Sequence, residues 1–195
     1  MKHPKTRHLF DYWRSQWDGD RAPLRQKIDP QHFRACLGYT FILQRIDADH
    51  HIFRLAGTGL CAHYGREFRD HNFLTLWAGK DRRAMKALVE QAVLSSQAAY
   101  ATFSAETVDR QLCPFETVLL PLRNAEGRRD RVLGVWQCLV DIRDFRGHRF
   151  VNHTLKSVFM LTNDALSVKP VVADSLLSGK APPYLKLVHS SSEVA

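Results

Sequence analysis

The sequence predicts an α+β protein: one five-stranded antiparallel sheet with helices on one face, a helical extension ahead of it, and a helix and tail behind it. Three observations lead there. Two runs rich in β-branched and aromatic residues, Tyr39–Ile46 and Ile52–Ala56, come early. Three more, Tyr100–Ala105, Phe115–Leu122 and Val132–Val140, come late. A helical stripe separates the two groups, and strands gathered at both ends of a helical middle fit one sheet roofed by helices. The expected partition is an extension over residues 1–38, a core over 39–145, and a C-terminal helix with a partly ordered tail over 146–195.

Each element has a local reason. In residues 8–17, Leu9, Phe10, Trp13 and Trp17 fall at helical spacing and make a bulky aromatic face. Such a face packs on its own domain or against a second subunit, and two tryptophans on it point to a homodimer contact. Asp29 then reads as an N-cap, Pro30 as the first residue of a second helix, and Gly38 as its end. The segment Asp47–His51 is a turn between the first two strands, with His50 and His51 pointing apart and exposed. The turn Gly57-Thr58-Gly59 follows, where glycine allows positive φ or close backbone approach.

A short helix, Leu60–Tyr64, precedes the polar loop Arg66–Asn72 and the apolar Phe73–Trp77. From Asp81 to Ser96, Met85, Leu88, Val89, Ala92 and Val93 form the stripe of the longest helix. Val118-Leu119-Leu120 gives the next-to-last strand a near-continuous apolar run, and Asn124–Gly127 turns the chain into the last strand. Leu155, Val158, Phe159, Ala165 and Leu166 predict a helix over residues 153–167, stopped by Pro170, and beyond it the chain loses periodicity.

Composition narrows the class. With 45% hydrophobic residues in 195, the chain can fill a core of its own. No apolar run approaches the roughly 18–20 residues of a membrane span, and none follows the basic start as a signal peptide would require, so a cytoplasmic location is expected. Cys36, Cys61, Cys113 and Cys138 lie too far apart in sequence for a zinc knuckle and read as reduced, buried thiols, so no metal site is expected. The net charge of +8 suits an acidic partner, but the basic residues are scattered and no aromatic stacking platform lies among them. Nucleic acid is therefore not the favoured partner.

The order of elements resembles a PAS domain. It is most similar to a bacterial PAS family first recognised as a domain of unknown function, in Trp13, Asp29-Pro30, Arg54-Leu55-Ala56-Gly57-Thr58 and Gly65-Arg66-Glu67. Pro121-Leu122, Glu126-Gly127, Leu133-Gly134-Val135 and Val140-Asp141-Ile142-Arg143 resemble the last two PAS strands and their terminal Asp-Ile step. The resemblance spans about residues 8–145 and leaves 146–195 uncovered. It implies a sensory or adaptor protein that binds a small molecule or a signalling partner, relays it through helical extensions, and dimerises through an N-terminal helix. A protein–protein scaffold with a filled core is the alternative.

The resemblance specifies no cofactor. A flavin photosensor of this kind carries a reactive cysteine after the Gly-Arg step, but here the segment runs Gly65–Asn72 without one, and Cys61 comes too early. An axial haem histidine would sit on the longest helix, and Asp81–Ser96 has none. No nucleophile elbow, phosphate loop or zincin motif occurs, so no catalytic residue is assigned and an enzyme is not expected. The candidate pocket between sheet and helices is lined by Leu55, Tyr64, Phe73, Trp77, Val89, Phe103, Val118, Leu120 and Trp136, residues that core packing would also explain. Arg54, opposite Phe53 and Leu55 in strand alternation, is expected to face outward and bridge to a surface carboxylate.

Overall fold

The structure, a computed structural model, describes residues 1–19, 21–145, 147–161 and 168–170. Among them, seven strands form one antiparallel sheet: β1 (Thr40–Arg45), β2 (His51–Ala56), β3 (Ala98–Thr107), β4 (Leu112–Arg123), β5 (Arg129–Cys138), β6 (Phe150–Leu161) and β7 (Val168–Pro170). Their spatial order is β2-β1-β5-β4-β3-β6-β7. The helices are α1 (Pro4–Ser15), α2 (Thr58–Tyr64) and α3 (Gly79–Ser95), with 3-10 turns at Pro30–Tyr39 and Phe73–Leu76 among others. The five predicted strands form one contiguous block of this sheet, running from its β2 edge to β3.

The C-terminal segment departs from the expected helix over residues 153–167. Phe150–Leu161 is a strand that pairs with β3 from Thr107↔Phe150 to Ala98↔Leu161. The rest of that predicted helix, 162–167, and the tail from 171 lie outside the described residues. The apolar spacing of Leu155, Val158 and Phe159 fits one helix face, but β3 would otherwise expose a row of unpaired backbone groups along its edge. Pairing with that edge overrides the local helical pattern.

The middle helices cover one face of the sheet, as predicted, and the N-terminal helical extension covers the other. On the inner face, α2, the Phe73–Leu76 turn and α3 bury Phe41, Phe115, Leu119, Val132 and Trp136. On the outer face, α1 and the Pro30–Tyr39 segment bury Ile42, Val118, Leu120, Leu133 and Val135 beneath Leu9, Trp13 and Phe33. Successive strand side chains point to opposite faces, so a strand buried on both sides reads as a continuous apolar run. Val118-Leu119-Leu120 is that run.

The outer layer accounts for the aromatic stripe of α1. Leu9 and Trp13 are buried, and Trp13 Nε1 donates a hydrogen bond of 2.9 Å to the Pro121 carbonyl on β4. Phe10 and Trp17 are half-buried beside them. The face Leu9–Trp17 predicted as a dimer contact is therefore spent largely on the chain's own sheet, because the outer face of β4 and β5 needs an apolar cover. The start of α1 is held by buried Glu116, whose carboxylate accepts from Lys2 N (2.7 Å), His3 N (3.0 Å) and the Tyr100 hydroxyl (2.7 Å). Burial pushes this carboxyl up, but its hydrogen bonds outweigh that and hold it below the ordinary carboxylate value.

The glycine turn works by proximity. Gly57 has an ordinary φ of −66°, but an added Cβ would lie 2.3 Å from the Leu37 carbonyl oxygen and 2.5 Å from Gly38. A side chain there would push the Pro30–Tyr39 segment off the start of α2. Gly65, at φ +60°, closes α2 in the left-handed conformation.

Candidate functional site

The inner face gathers its rings around one histidine. His153, on β6, pairs with Ala105 of β3 and points into the inner cluster. Its ring centre lies 4.8 Å from Trp77, 5.1 Å from Phe103, 5.2 Å from Trp136 and 5.5 Å from Tyr64. Each partner comes from a different element: Trp77 follows the Phe73–Leu76 turn, Tyr64 ends α2, Phe103 lies on β3 and Trp136 on β5. Tyr64 Oη and His153 Nε2 are hydrogen-bonded.

Protonation in this site follows from burial. Burial, with the Arg66 guanidinium adding to it, pushes His153 from 6.5 down to about 3, so the imidazole is neutral near pH 7. Burial pushes the Tyr64 phenol far up, so it keeps its proton. With Tyr64 donating to Nε2, the ring proton sits on Nδ1. Nδ1 of His153, Nε1 of Trp77 and Nε1 of Trp136 are all buried without a protein hydrogen-bond partner. Three N–H donors without a protein partner thus belong to rings of one apolar aromatic cluster. Buried polar groups are nearly always paired, and an unpaired one costs about 1–3 kcal/mol. Such a cluster is suited to an acceptor-bearing guest.

A sequence profile described as PAS domain matches residues 1–137. The chain belongs to the PAS domain family. No curated protein shows significant similarity to it. Among solved structures, a light-oxygen-voltage domain studied with a flavin analogue is 15% identical, covering 58% of this chain and 85% of its own, at a TM-score of 0.45. A PAS domain from Colwellia psychrerythraea is 15% identical, covering 57% and 98%, at a TM-score of 0.43. VqmA of Vibrio cholerae is 11% identical, covering 53% and 48%, at a TM-score of 0.44.

In this PAS domain the nine predicted pocket residues divide between the two faces. Tyr64, Phe73, Trp77, Val89, Phe103 and Trp136 meet in the inner cluster. Val118 and Leu120 do not line the interior: strand alternation turns them outward, against α1. Leu55 also faces outward, is 43% exposed, and borders a surface groove with Ile28, Phe33 and Leu37. His153 lies in a segment whose apolar spacing fits a helix, and only the pairing of β6 with β3 turns it inward.

Two neighbouring features refine the site's surroundings. Arg54 is exposed and pairs with Asp70 at 2.6 Å and Gln44 at 2.7 Å, as expected, but simple alternation fails beside it: the register steps from Leu43↔Phe53 to Ile42↔Leu55, and this bulge puts Leu55 on the outer side with Ile42. His50 is exposed beside Asp47, but His51 is not the exposed turn residue expected. It is buried at the start of β2, 2.9 Å from Glu90 of α3, which also takes a two-pronged contact from Arg45 at 2.7 and 2.9 Å. Among the described residues no group of three or more His, Cys, Asp or Glu converges as a metal site, and no helix is long and apolar enough to cross a membrane.

Proposed function

We propose that this PAS domain is a sensor that takes an uncharged, planar molecule bearing oxygen or nitrogen acceptors into its inner face and signals its presence through α1. The observation that carries this reading is the set of three unpartnered N–H donors, His153 Nδ1, Trp77 Nε1 and Trp136 Nε1, inside a cage of aromatic rings. Aromatic walls favour a flat apolar body, and the donors favour acceptor atoms on its rim. The neutral imidazole offers no charge to a carboxylate or phosphate, which favours an uncharged guest. Because the rings pack against one another, entry requires side-chain rearrangement, and a guest would bind by displacing ring contacts.

The relay would run through the strands themselves. Trp136 faces the cage, while its chain neighbour Val135 faces α1. Self-association, expected of a cytoplasmic PAS sensor, would use side chains that α1 does not bury: Phe10 and Trp17 in part, and the exposed Leu37 and Leu55.

Native mass spectrometry of the purified chain, paired with thermal shift against a library of flat neutral heterocycles, tests the sensor reading. The expected result is a retained or stabilising compound whose effect falls at least tenfold in affinity in Trp77→Phe. Apo mass alone, with no stabilising compound, would support the ligand-free scaffold instead.

A further inference from the structure

The fold joins two cysteines that the sequence keeps 25 residues apart. Cys113 of β4 and Cys138 at the end of β5 have their sulfur atoms 3.1 Å from one another. The register places Cys138 opposite Phe115, so Cys113 is its diagonal neighbour on the same face. Beyond them, Leu139 N donates to the Pro114 carbonyl at 2.8 Å, so both strands are pinned on the far side of the pair. Closing this contact to a disulfide needs roughly 1 Å of approach, to the usual bond length of about 2.05 Å. Cys113 is fully buried, whereas Cys138 is half-buried and lines an open surface cleft of about 190 Å³ with His3, Lys5, Tyr39 and Asp141.

We propose that Cys113 and Cys138 form an oxidisable dithiol site, converted to an intramolecular disulfide by a small peroxide entering through this cleft. The Cys138 thiolate attacks one peroxide oxygen; an S–O bond forms, the O–O bond breaks, and the leaving hydroxide takes up a proton to become water. The Cys113 sulfur then attacks the resulting sulfenic sulfur; an S–S bond forms, the S–O bond breaks, and a second water leaves with the Cys113 proton. Two thiols lose two electrons and the peroxide gains them.

The order of attack follows from the surroundings. Cys138 meets the cleft, and the hydrogen bond from the Cys113 thiol pulls its own thiol down, although burial, Asp141 and Asp144 oppose that. The same hydrogen bond pushes Cys113 up, with burial adding to it, which suits the resolving partner. Cys36 and Cys61 are each pushed up by burial, and their sulfur atoms contact oxygen instead, the Phe33 carbonyl at 3.2 Å and the Glu67 carboxylate at 3.6 Å. Cys113 also belongs to the inner ring cluster, so the crosslink would fix strands that line the candidate cage. The proposal stands without a bound guest.

The test treats the full-length reduced chain with hydrogen peroxide, then alkylates it under denaturing conditions and maps its tryptic peptides. The four cysteines fall in four separate tryptic peptides, with Cys113 in 111–123 and Cys138 in 132–143. The expected product is one link between those two peptides in a monomeric chain that has lost two hydrogens, reversed by dithiothreitol. In Cys113→Ser, the expected product is a sulfenic acid at Cys138, trapped by dimedone. Links to Cys36 or Cys61, links only between chains, or four alkylated thiols after peroxide treatment would each overturn the proposal.

Discussion

Replacing His153 with Gln removes a titrating group from the centre of the inner face and keeps an acceptor for the Tyr64 hydroxyl. In the native chain the folded imidazole titrates at about 3 against 6.5 when unperturbed. A depressed histidine makes the unfolded chain the better proton binder below pH 6.5, so stability falls as pH drops. Each unit of pH within this window costs about 1.4 kcal/mol, so the loss from pH 7 to pH 5 attributable to this group is about 2 kcal/mol. Burial is the larger cause and the Arg66 charge the smaller, so salt should change the slope little. The assay is urea denaturation of both proteins at the two pH values. His51 and His63 are also pushed down by burial, but they are common to both proteins and cancel in the comparison. The His153→Gln protein should show a pH-dependent loss smaller by about 2 kcal/mol. Equal losses in the two proteins would mean that His153 is accessible to protons, and the dry-cage argument would fail.

Two further substitutions probe the layers around the cage. Trp13→Phe removes the donor to the Pro121 carbonyl and should lower stability by about 1–2 kcal/mol in urea, with the sedimentation coefficient unchanged. A change of mass in that variant would return α1 to an interface between copies. Gly57→Ala places a Cβ 2.3 Å from the Leu37 carbonyl oxygen and should cost about 2–3 kcal/mol, read as a fall in thermal midpoint. An unchanged midpoint would show that the Pro30–Tyr39 segment yields at no cost.

The five predicted strands were legible because their β-branched and aromatic runs are bounded by turn residues, and all five lie side by side in the observed sheet. The capped turn at Asp29-Pro30 was legible for a local reason too: the Asp29 carboxylate accepts from Gln31 N at 2.9 Å. What escaped the sequence depends on distant pairing. Phe150–Leu161 joins β3 because an open strand edge recruits it, and nothing within the segment records that edge. The division of Val118 and Leu120 from Trp136 depends on which side each strand presents, and a doubly buried strand erases the alternation that would have told them apart. The six inner residues were found because large apolar side chains near the middle helices have few other places to go. His153, at the centre of the cage, required the register of β6.

The two-sided burial of β4 and β5 has a mechanical consequence. Water does not back these strands: the indole of Trp13 presses on one surface while that of Trp136 fills the other. A shift of half an ångström in the middle layer has no slack to vanish into, because close-packed interiors resist compression. The proposed relay would draw on this stiffness: a bulge raised on one packed side would press directly on the other.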